Sequence, residues 1–136
     1  MAQETKHVTL RWLGDLRFEG MTEGSAPAVI DAADSAGPGP MPTLLLAAAA
    51  CSSSDIVEMM DKMRVKLAAL SVEADGVRRE ESPRRYVSIQ LTYRLRGEGL
   101  DDAKARRAVS LGVEKYCSVI ASLAPDIRVG YDVVVS

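Results

Sequence analysis

Histidine and cysteine are scarce in this chain of 136 residues, which contains one histidine, His7, and two cysteines. A zinc site needs several such ligands at close spacing, and Cys51 and Cys117 lie far apart in the sequence. A cysteine protease needs a histidine beside its nucleophile, whereas His7 more simply decorates the first predicted strand. The sequence therefore predicts no metal site and disfavours protease chemistry.

Charge of one sign is not concentrated anywhere in the sequence. Lysine and arginine total 17 against 19 aspartates and glutamates, and runs of one sign reach only two or three residues. A surface that binds nucleic acid or an anionic membrane needs a clustered basic footprint. We therefore expect neither a nucleic-acid partner nor a membrane partner.

Long apolar runs are also missing. The amino terminus, MAQETKHVTLRW, lacks the apolar core of a signal peptide, and no segment approaches the apolar length that spans a membrane. These absences predict a cytoplasmic protein. Because thiols are kept reduced in that compartment, a bond between the two cysteines would belong to a reaction cycle rather than to a permanent scaffold.

The length fits one domain, and neither an internal repeat nor an interior linker divides the chain, so we predict a single domain over residues 1–136. Alternation of apolar and polar residues predicts strands. The first carries Val8, Leu10 and Trp12 on one half-buried face. The others are centred on residues 16–18, 28–30, 70–74, 87–95 and 127–135.

Two long helices are predicted between these strands. A loop rich in glycine and proline, residues 34–42, precedes a helix from about Thr43 to Met63, whose first half is apolar throughout and is therefore expected to be buried on all sides. A second helix opens at Asp101 and Asp102 and closes before Pro125. The order of strands, helix, two strands, helix and strand predicts an α+β fold with two long helices on a mainly antiparallel sheet.

Each cysteine lies on the apolar part of one predicted helix, so helices that cover the same sheet can bring Cys51 and Cys117 together. Two thiols that meet are the minimum for disulfide chemistry. Free cysteine is also among the most buried residue types and often only packs. The segment CSSSD places three hydroxyls and Asp55 beside Cys51, but small serines also permit close helix packing. Both interpretations of Cys51 stay open on these grounds.

Methionines follow the same helix, at positions 59, 60 and 63. Their flexible thioethers suit an apolar substrate pocket, although methionines at helical spacing more often belong to a core. We assign them no role from the sequence.

Two segments, GPGPMPTLLLAAAACSSSDIVEMMDKMR and GLDDAKARRAVSLGVEKYCSV, resemble the osmotically inducible and organic hydroperoxide resistance proteins, the OsmC/Ohr family. The first is similar to the family's Gly/Pro-rich loop, leucine-rich helix start, cysteine and following aspartate. The second is similar to its helix ending in EKYCSV. The resemblance covers residues 36 to 135 well and the amino-terminal strands loosely.

The resemblance implies a thiol peroxidase that forms an intertwined homodimer. Cys51 would be the peroxidatic cysteine, which attacks a hydroperoxide and becomes a sulfenic acid, and Cys117 would be the resolving cysteine, which condenses with it to a disulfide. A dithiol reductant would restore both thiols as co-substrate. No other cofactor is implied.

One departure from the family concerns activation of the thiol. The members most active on organic hydroperoxides carry a glutamate nine or ten residues before the reactive cysteine, paired with an arginine from the amino-terminal strands. Here Pro42 and Met41 occupy those positions. Arg17 or Arg11 is the matching arginine, and a buried thiol without a cation keeps its proton more firmly. Asp55 and Thr43 are the residues that could shape a different polar pocket.

Three functions therefore remain in view. The first is reduction of organic hydroperoxides, and of hydrogen peroxide, by Cys51 and Cys117. The second is a noncatalytic redox sensor or small-molecule-binding protein on the same fold, which the missing glutamate favours. The third is a general thiol–disulfide reductase acting on small disulfides.

Overall fold

The computed structural model describes residues 3–136, which form two compact units divided between Leu44 and Leu45. The prediction of one domain over residues 1–136 stays a prediction. In chain order the elements are β1 (Thr9–Gly14), β2 (Arg17–Met21), β3 (Ala28–Asp31), α1 (Pro40–Lys62), β4 (Lys66–Arg78), β5 (Tyr86–Glu98), α2 (Asp102–Leu111), a π-helical turn (Gly112–Tyr116), α3 (Ser118–Ala121) and β6 (Arg128–Val135).

The first unit contains an antiparallel meander of β1, β2 and β3. Gly14 and Asp15 turn the chain between β1 and β2 with positive φ angles of 115° and 49°, which glycine and aspartate tolerate better than most residues. These strands confirm the alternation in the sequence. The prediction that Val8, Leu10 and Trp12 form a half-buried face is wrong, because these side chains are 71%, 61% and 67% exposed.

The second unit contains a three-stranded sheet in the order β4-β5-β6. The strands β4 and β5 form a long antiparallel hairpin, whereas β6 runs parallel to β5. A parallel pair needs a crossover, and α2 with the turns that follow it supplies one. Three of the four strand pairs within residues 3–136 are antiparallel, so the predicted α+β fold with a mainly antiparallel sheet arrangement is confirmed.

One stripe of α1 faces the core of the second unit. Its buried members recur every four residues, as expected for one face of a helix, and they are Ala48, Ser52, Ile56 and Met60. The central strand β5 buries Ile89, Leu91, Tyr93 and Leu95. The helix begins at Pro40, three residues before the predicted start, because the first turn of a helix does not need the amide hydrogen that proline lacks.

The opposite side of α1 is not buried by this chain, since Leu46 and Val57 are 56% and 49% exposed. The expectation that the first half of α1 is buried all round thus fails within one chain. The helix α1 is long and apolar enough to cross a membrane. The expectation that no segment approaches such a span is therefore wrong for length and composition. One such helix is weak evidence for a membrane protein, because core helices of soluble proteins have the same length and composition.

The second predicted helix is not continuous. Regular α-helix ends at Leu111, the π-helical turn closes with a bond from the Cys117 amide to the Gly112 carbonyl, and Cys117 itself is extended (ψ 108°). A Cβ atom at Gly112 would lie 3.2 Å from the Ser52 carbonyl oxygen, so this turn approaches α1 closely. The break allows Cys117 to begin a new short helix instead of continuing the old one.

Candidate functional site

The two cysteine thiols meet in the second unit. Cys51 is half-buried on α1, whereas Cys117 is 3% exposed at the start of α3, and both are free. Cys51 is near enough to Cys117 to raise the pKa of the Cys117 thiol. The Cys117 sulfur also lies 3.9 Å from the carbonyl oxygen of Ala48, three residues before Cys51 on α1. The structure thus brings together the two residues that the sequence paired.

Burial is the main influence on Cys117, and it raises the pKa of this thiol. The backbone amide of Ile120 donates to the sulfur at 3.4 Å, which lowers the pKa, and the neighbouring Cys51 raises it again. The net shift is upward. Cys117 is therefore a protonated thiol near neutral pH, held in place by a cap bond to α3.

Alkylation of Cys117 is expected to need a higher pH than alkylation of an ordinary thiol. The experiment measures iodoacetamide labelling of a Cys51→Ser variant against pH, with a short cysteine peptide as reference. The labelling midpoint of Cys117 should lie above that of the peptide, because burial disfavours the thiolate. Because the pKa of Cys117 is higher in the folded than in the unfolded chain, the unfolded chain loses this thiol proton first as pH rises. The free energy of unfolding therefore falls as pH rises through the thiol range. A midpoint at or below that of the peptide would contradict the assignment.

A buried hydrogen-bonded pair lies beside the thiols. Ser52, the residue after Cys51, and Tyr93 of β5 are both fully buried, and their hydroxyl oxygens are 2.6 Å apart. The Ser52 hydroxyl is 2.8 Å from the Ala48 carbonyl oxygen, to which it donates, so Tyr93 is the donor to Ser52. Burial raises the pKa of Tyr93, the hydrogen bond with Ser52 lowers it by less, and the nearby Cys117 makes a smaller upward contribution. The pair joins α1 to the sheet directly below the cysteines.

Replacing Ser52 by alanine is expected to destabilise the fold by about 1–3 kcal/mol, because the buried Tyr93 hydroxyl loses its partner. Tyr93→Phe should cost less, about 1 kcal/mol, since Ser52 keeps its bond to Ala48. The double variant should be more stable than Ser52→Ala alone, because no polar group is then orphaned. Urea denaturation of the four proteins checks this order. Additive losses would show that the two hydroxyls are not coupled.

The three predicted supporting residues lie in different settings. Asp55, one turn after Cys51, has one carboxylate oxygen buried with no hydrogen-bond partner among residues 3–136. The Thr43 hydroxyl donates to the Gly39 carbonyl at 2.7 Å, so its proton already serves the first turn of α1. Arg17 lies in β2 and forms a 3.5 Å ion pair with Asp15. Their roles toward Cys51 stay predictions.

Carboxylates and backbone organise the loop before α1. The backbone amides of Ala36 and Ala33 donate to the Asp31 carboxylate at 2.9 Å each, and both bonds lower its pKa. The charge of Arg17 lowers the same pKa by less. Arg11, the other arginine considered, pairs with Glu19 at 3.0 Å. Each arginine therefore has an acidic neighbour within its own sheet.

Sequence reasoning missed Tyr93, which the alternation of β5 marked only as an apolar position. A buried tyrosine usually hydrogen-bonds through its hydroxyl, and that rule is the one signal that could have found it.

Among the predicted methionines, Met60 is buried in the core, whereas Met59 and Met63 line a cleft of about 470 Å³. Within residues 3–136, no group of three histidine, cysteine, aspartate or glutamate side chains could hold a metal ion.

Comparison with known proteins shows which sequences and structures are similar. Residues 32–132 match the family model described as "OsmC-like protein". Protein YhfA of Escherichia coli (strain K12) is 37% identical over 129 residues, which cover 92% of this chain and 96% of that protein. The match extends into the amino-terminal strands that the sequence motifs covered only loosely.

Solved structures reproduce the fold over nearly the whole chain. A hypothetical protein from Aquifex aeolicus VF5 has a TM-score of 0.84 at 26% identity, with 98% of this chain and 99% of that chain covered. An organic hydroperoxide resistance protein OsmC from Legionella pneumophila has a TM-score of 0.67 at 15% identity, with 98% and 99% covered. The second likeness shows the fold alone.

Proposed function

The chain belongs to the OsmC-like family, and on that premise we propose that it is a thiol peroxidase that reduces organic hydroperoxides through Cys51 and Cys117. The observation that carries the proposal is that the free thiol of Cys117 lies against the turn of α1 that ends at Cys51, 3.9 Å from the Ala48 carbonyl oxygen, and that Cys51 is itself a free thiol. A solved structure with this fold is described as an organic hydroperoxide resistance protein, and the substrate class that we propose follows that description.

Burial decides which thiol attacks. Cys51 is half-buried and can meet a small molecule, whereas Cys117 is 3% exposed and can react only with a group already inside. The Cys51 thiolate attacks one peroxide oxygen and the O–O bond breaks, which leaves a sulfenic acid and, after protonation, an alcohol. The Cys117 sulfur then attacks the Cys51 sulfur, the sulfenic hydroxyl leaves as water with the Cys117 proton, and a disulfide forms.

The disulfide must be reduced before another turnover. A dithiol reductant attacks it, forms a mixed disulfide, and closes on itself as a cyclic disulfide while both cysteines regain their protons. Two electrons thus pass from the dithiol to the peroxide. We propose this class of reductant as the co-substrate, and the cytoplasm as the compartment that maintains it.

The test of this function is loss of cumene hydroperoxide in the presence of dithiothreitol. The wild-type protein should consume peroxide catalytically, and Cys51→Ser should be no faster than reductant alone. A Cys51→Ser rate equal to the wild-type rate would refute the proposal. A parallel assay with hydrogen peroxide shows whether the protein prefers organic hydroperoxides.

A homodimer is the form in which we propose this activity resides. The apolar side chains of Val8 just before β1, of Leu10 and Trp12 on β1, and of Leu46 on α1 are each more than half exposed, and a single chain leaves them in water. Sedimentation at several concentrations tests this proposal. A monomer at every concentration would contradict it.

A noncatalytic redox sensor is the second candidate, favoured by one observation. Met41 and Pro42 stand where active relatives carry a glutamate, so the residue that would help to activate the attacking thiol is missing. A sensor would form the disulfide once per chain after peroxide treatment without continued peroxide loss in dithiol. Mass spectrometry with a parallel turnover assay separates the two functions.

A further inference from the structure

A cleft separate from the thiol pair opens between the second half of α1 and the α2 region. Its volume is about 470 Å³, within the range of small-molecule sites. Four charged side chains line it: Asp55, Glu58 and Lys62 from α1, and Arg107 from α2. Neither cysteine is among the lining residues.

None of these four charges is paired within residues 3–136, although Glu58 and Lys62 have the four-residue spacing at which helical ion pairs form. One oxygen of Asp55 is in addition buried without a hydrogen-bond partner. A buried carboxylate oxygen without a donor is costly, and native proteins rarely leave one so. The Asp55 carboxylate is therefore left short of a compensating positive group by its own chain.

The remaining lining residues are apolar or aromatic: Met59, Met63, Leu111 and Tyr116. Both methionines are half-buried, and their flexible thioethers can adapt to side chains of different shape. The cleft thus combines an apolar wall with two acids and two bases.

We propose that this cleft binds a short peptide, or a zwitterion of that size, through its free ammonium and carboxylate groups. The ammonium group pairs with the Asp55 carboxylate, and the carboxylate of the ligand pairs with Arg107 and Lys62. A ligand of one charge would leave one pair of the lining charges uncompensated, whereas a zwitterion satisfies both signs.

The spacing along α1 suggests the length of the ligand. Asp55 and Lys62 are seven residues apart, which is about 10 Å along a helix axis. An extended tripeptide spans about the same distance. An apolar central side chain would then lie against Met59 and Met63. The site goes beyond the peroxidase proposal and does not depend on thiol chemistry.

The test is calorimetric titration of the full chain with Gly-Leu-Gly at low ionic strength. The tripeptide with free termini should bind saturably, and its N-acetylated and C-amidated forms should each bind about tenfold more weakly, because one charge-assisted bond is lost. No saturable binding at millimolar peptide would overturn the proposal. Equal binding of the free and blocked peptides would do so as well.

Variants assign each end of the ligand. Asp55→Asn should weaken binding of the free peptide about tenfold and leave binding of the N-acetylated peptide unchanged. Arg107→Gln should weaken binding of the free peptide about tenfold and leave binding of the C-amidated peptide unchanged. Arg106→Gln is the matched control, because Arg106 is the neighbouring residue on α2 and pairs with Asp102 at 2.7 Å outside the cleft. The Arg106→Gln variant should bind the free peptide with the affinity of the wild type.

Two further measurements keep the outcome unambiguous. Arg107 is exposed, so its variant should retain the wild-type melting temperature, which circular dichroism checks. If these variants change the oligomeric state and no peptide binds, a second copy of the chain covers the cleft and the proposal is wrong. Titration of Cys51→Ser should show unchanged peptide affinity, so that loss of peroxidase activity and loss of this site are distinguishable.

Discussion

Replacing Cys117 by serine is expected to abolish the disulfide that follows peroxide treatment while Cys51 still takes up oxygen. One equivalent of cumene hydroperoxide should remove two hydrogens from the wild-type mass and should add one oxygen to the variant. Excess peroxide should add further oxygens to the variant, because its sulfenic acid has no neighbouring thiol to trap it. Intact-protein mass spectrometry, with peptide mapping to Cys51, measures each product.

The same substitution should slow turnover about a hundredfold or more at millimolar dithiothreitol. A thiol held beside its target reacts at an effective concentration far above that of a free reductant, and the Cys117 sulfur lies against the turn of α1 that ends at Cys51, 3.9 Å from the Ala48 carbonyl oxygen. Cys51→Ser is the control and should gain no oxygen at low peroxide. Disulfide formation between chains in the Cys117 variant, or an unchanged rate, would contradict the resolving role.

Replacing Ile56 by alanine should lower the free energy of unfolding by about 2–5 kcal/mol. Ile56 is fully buried on the inward stripe of α1, and its loss leaves a cavity against the core of the second unit. Val57→Ala is the matched control. Val57 is the next residue on the helix and is 49% exposed, so within one chain its truncation should change the free energy by about 0.5 kcal/mol or less.

Urea denaturation at two protein concentrations checks this pair of variants. A cost of Val57→Ala that rises at the higher concentration would locate this residue in a subunit interface and support the homodimer. Equal costs for both variants at the lower concentration would contradict the burial of Ile56. The experiment thus measures how much of α1 is stabilised by its own chain.

Most of the elements could be predicted because they depend on local pattern. Period-two alternation located five of the six strands within residues 3–136, the turn-rich segment before residues 28–30 located the other, and the absence of glycine and proline after Pro42 located α1 within a few residues. The break in the second helix could not be predicted, because its apolar stripe continues through Cys117 at helical spacing. The π-helical turn accompanies the close approach of Gly112 to α1, which is a contact between distant segments.

The candidate site divides in the same way. The cysteines were identifiable from their place on apolar helix faces and from the motifs around them. Tyr93 was not, because an inward tyrosine on a strand looks like any other core residue until its hydroxyl is found 2.6 Å from Ser52. The cleft was partly anticipated by the methionines, but only folding puts Arg107 of α2 among the charges of α1.

The amino-acid sequence alone determined the family, the order of strands and helices, and the two thiols available for reaction. These depend on residue identity and on spacing along the chain, which no fold can alter. Only the tertiary structure decided that Cys117 begins a new helix with a buried, protonated thiol and that Val8, Leu10 and Trp12 face outward. It also decided that four charges without an ion-pair partner among residues 3–136 share one cleft. Burial, pKa and charge pairing depend on which distant segments come into contact, and local periodicity carries no record of those contacts.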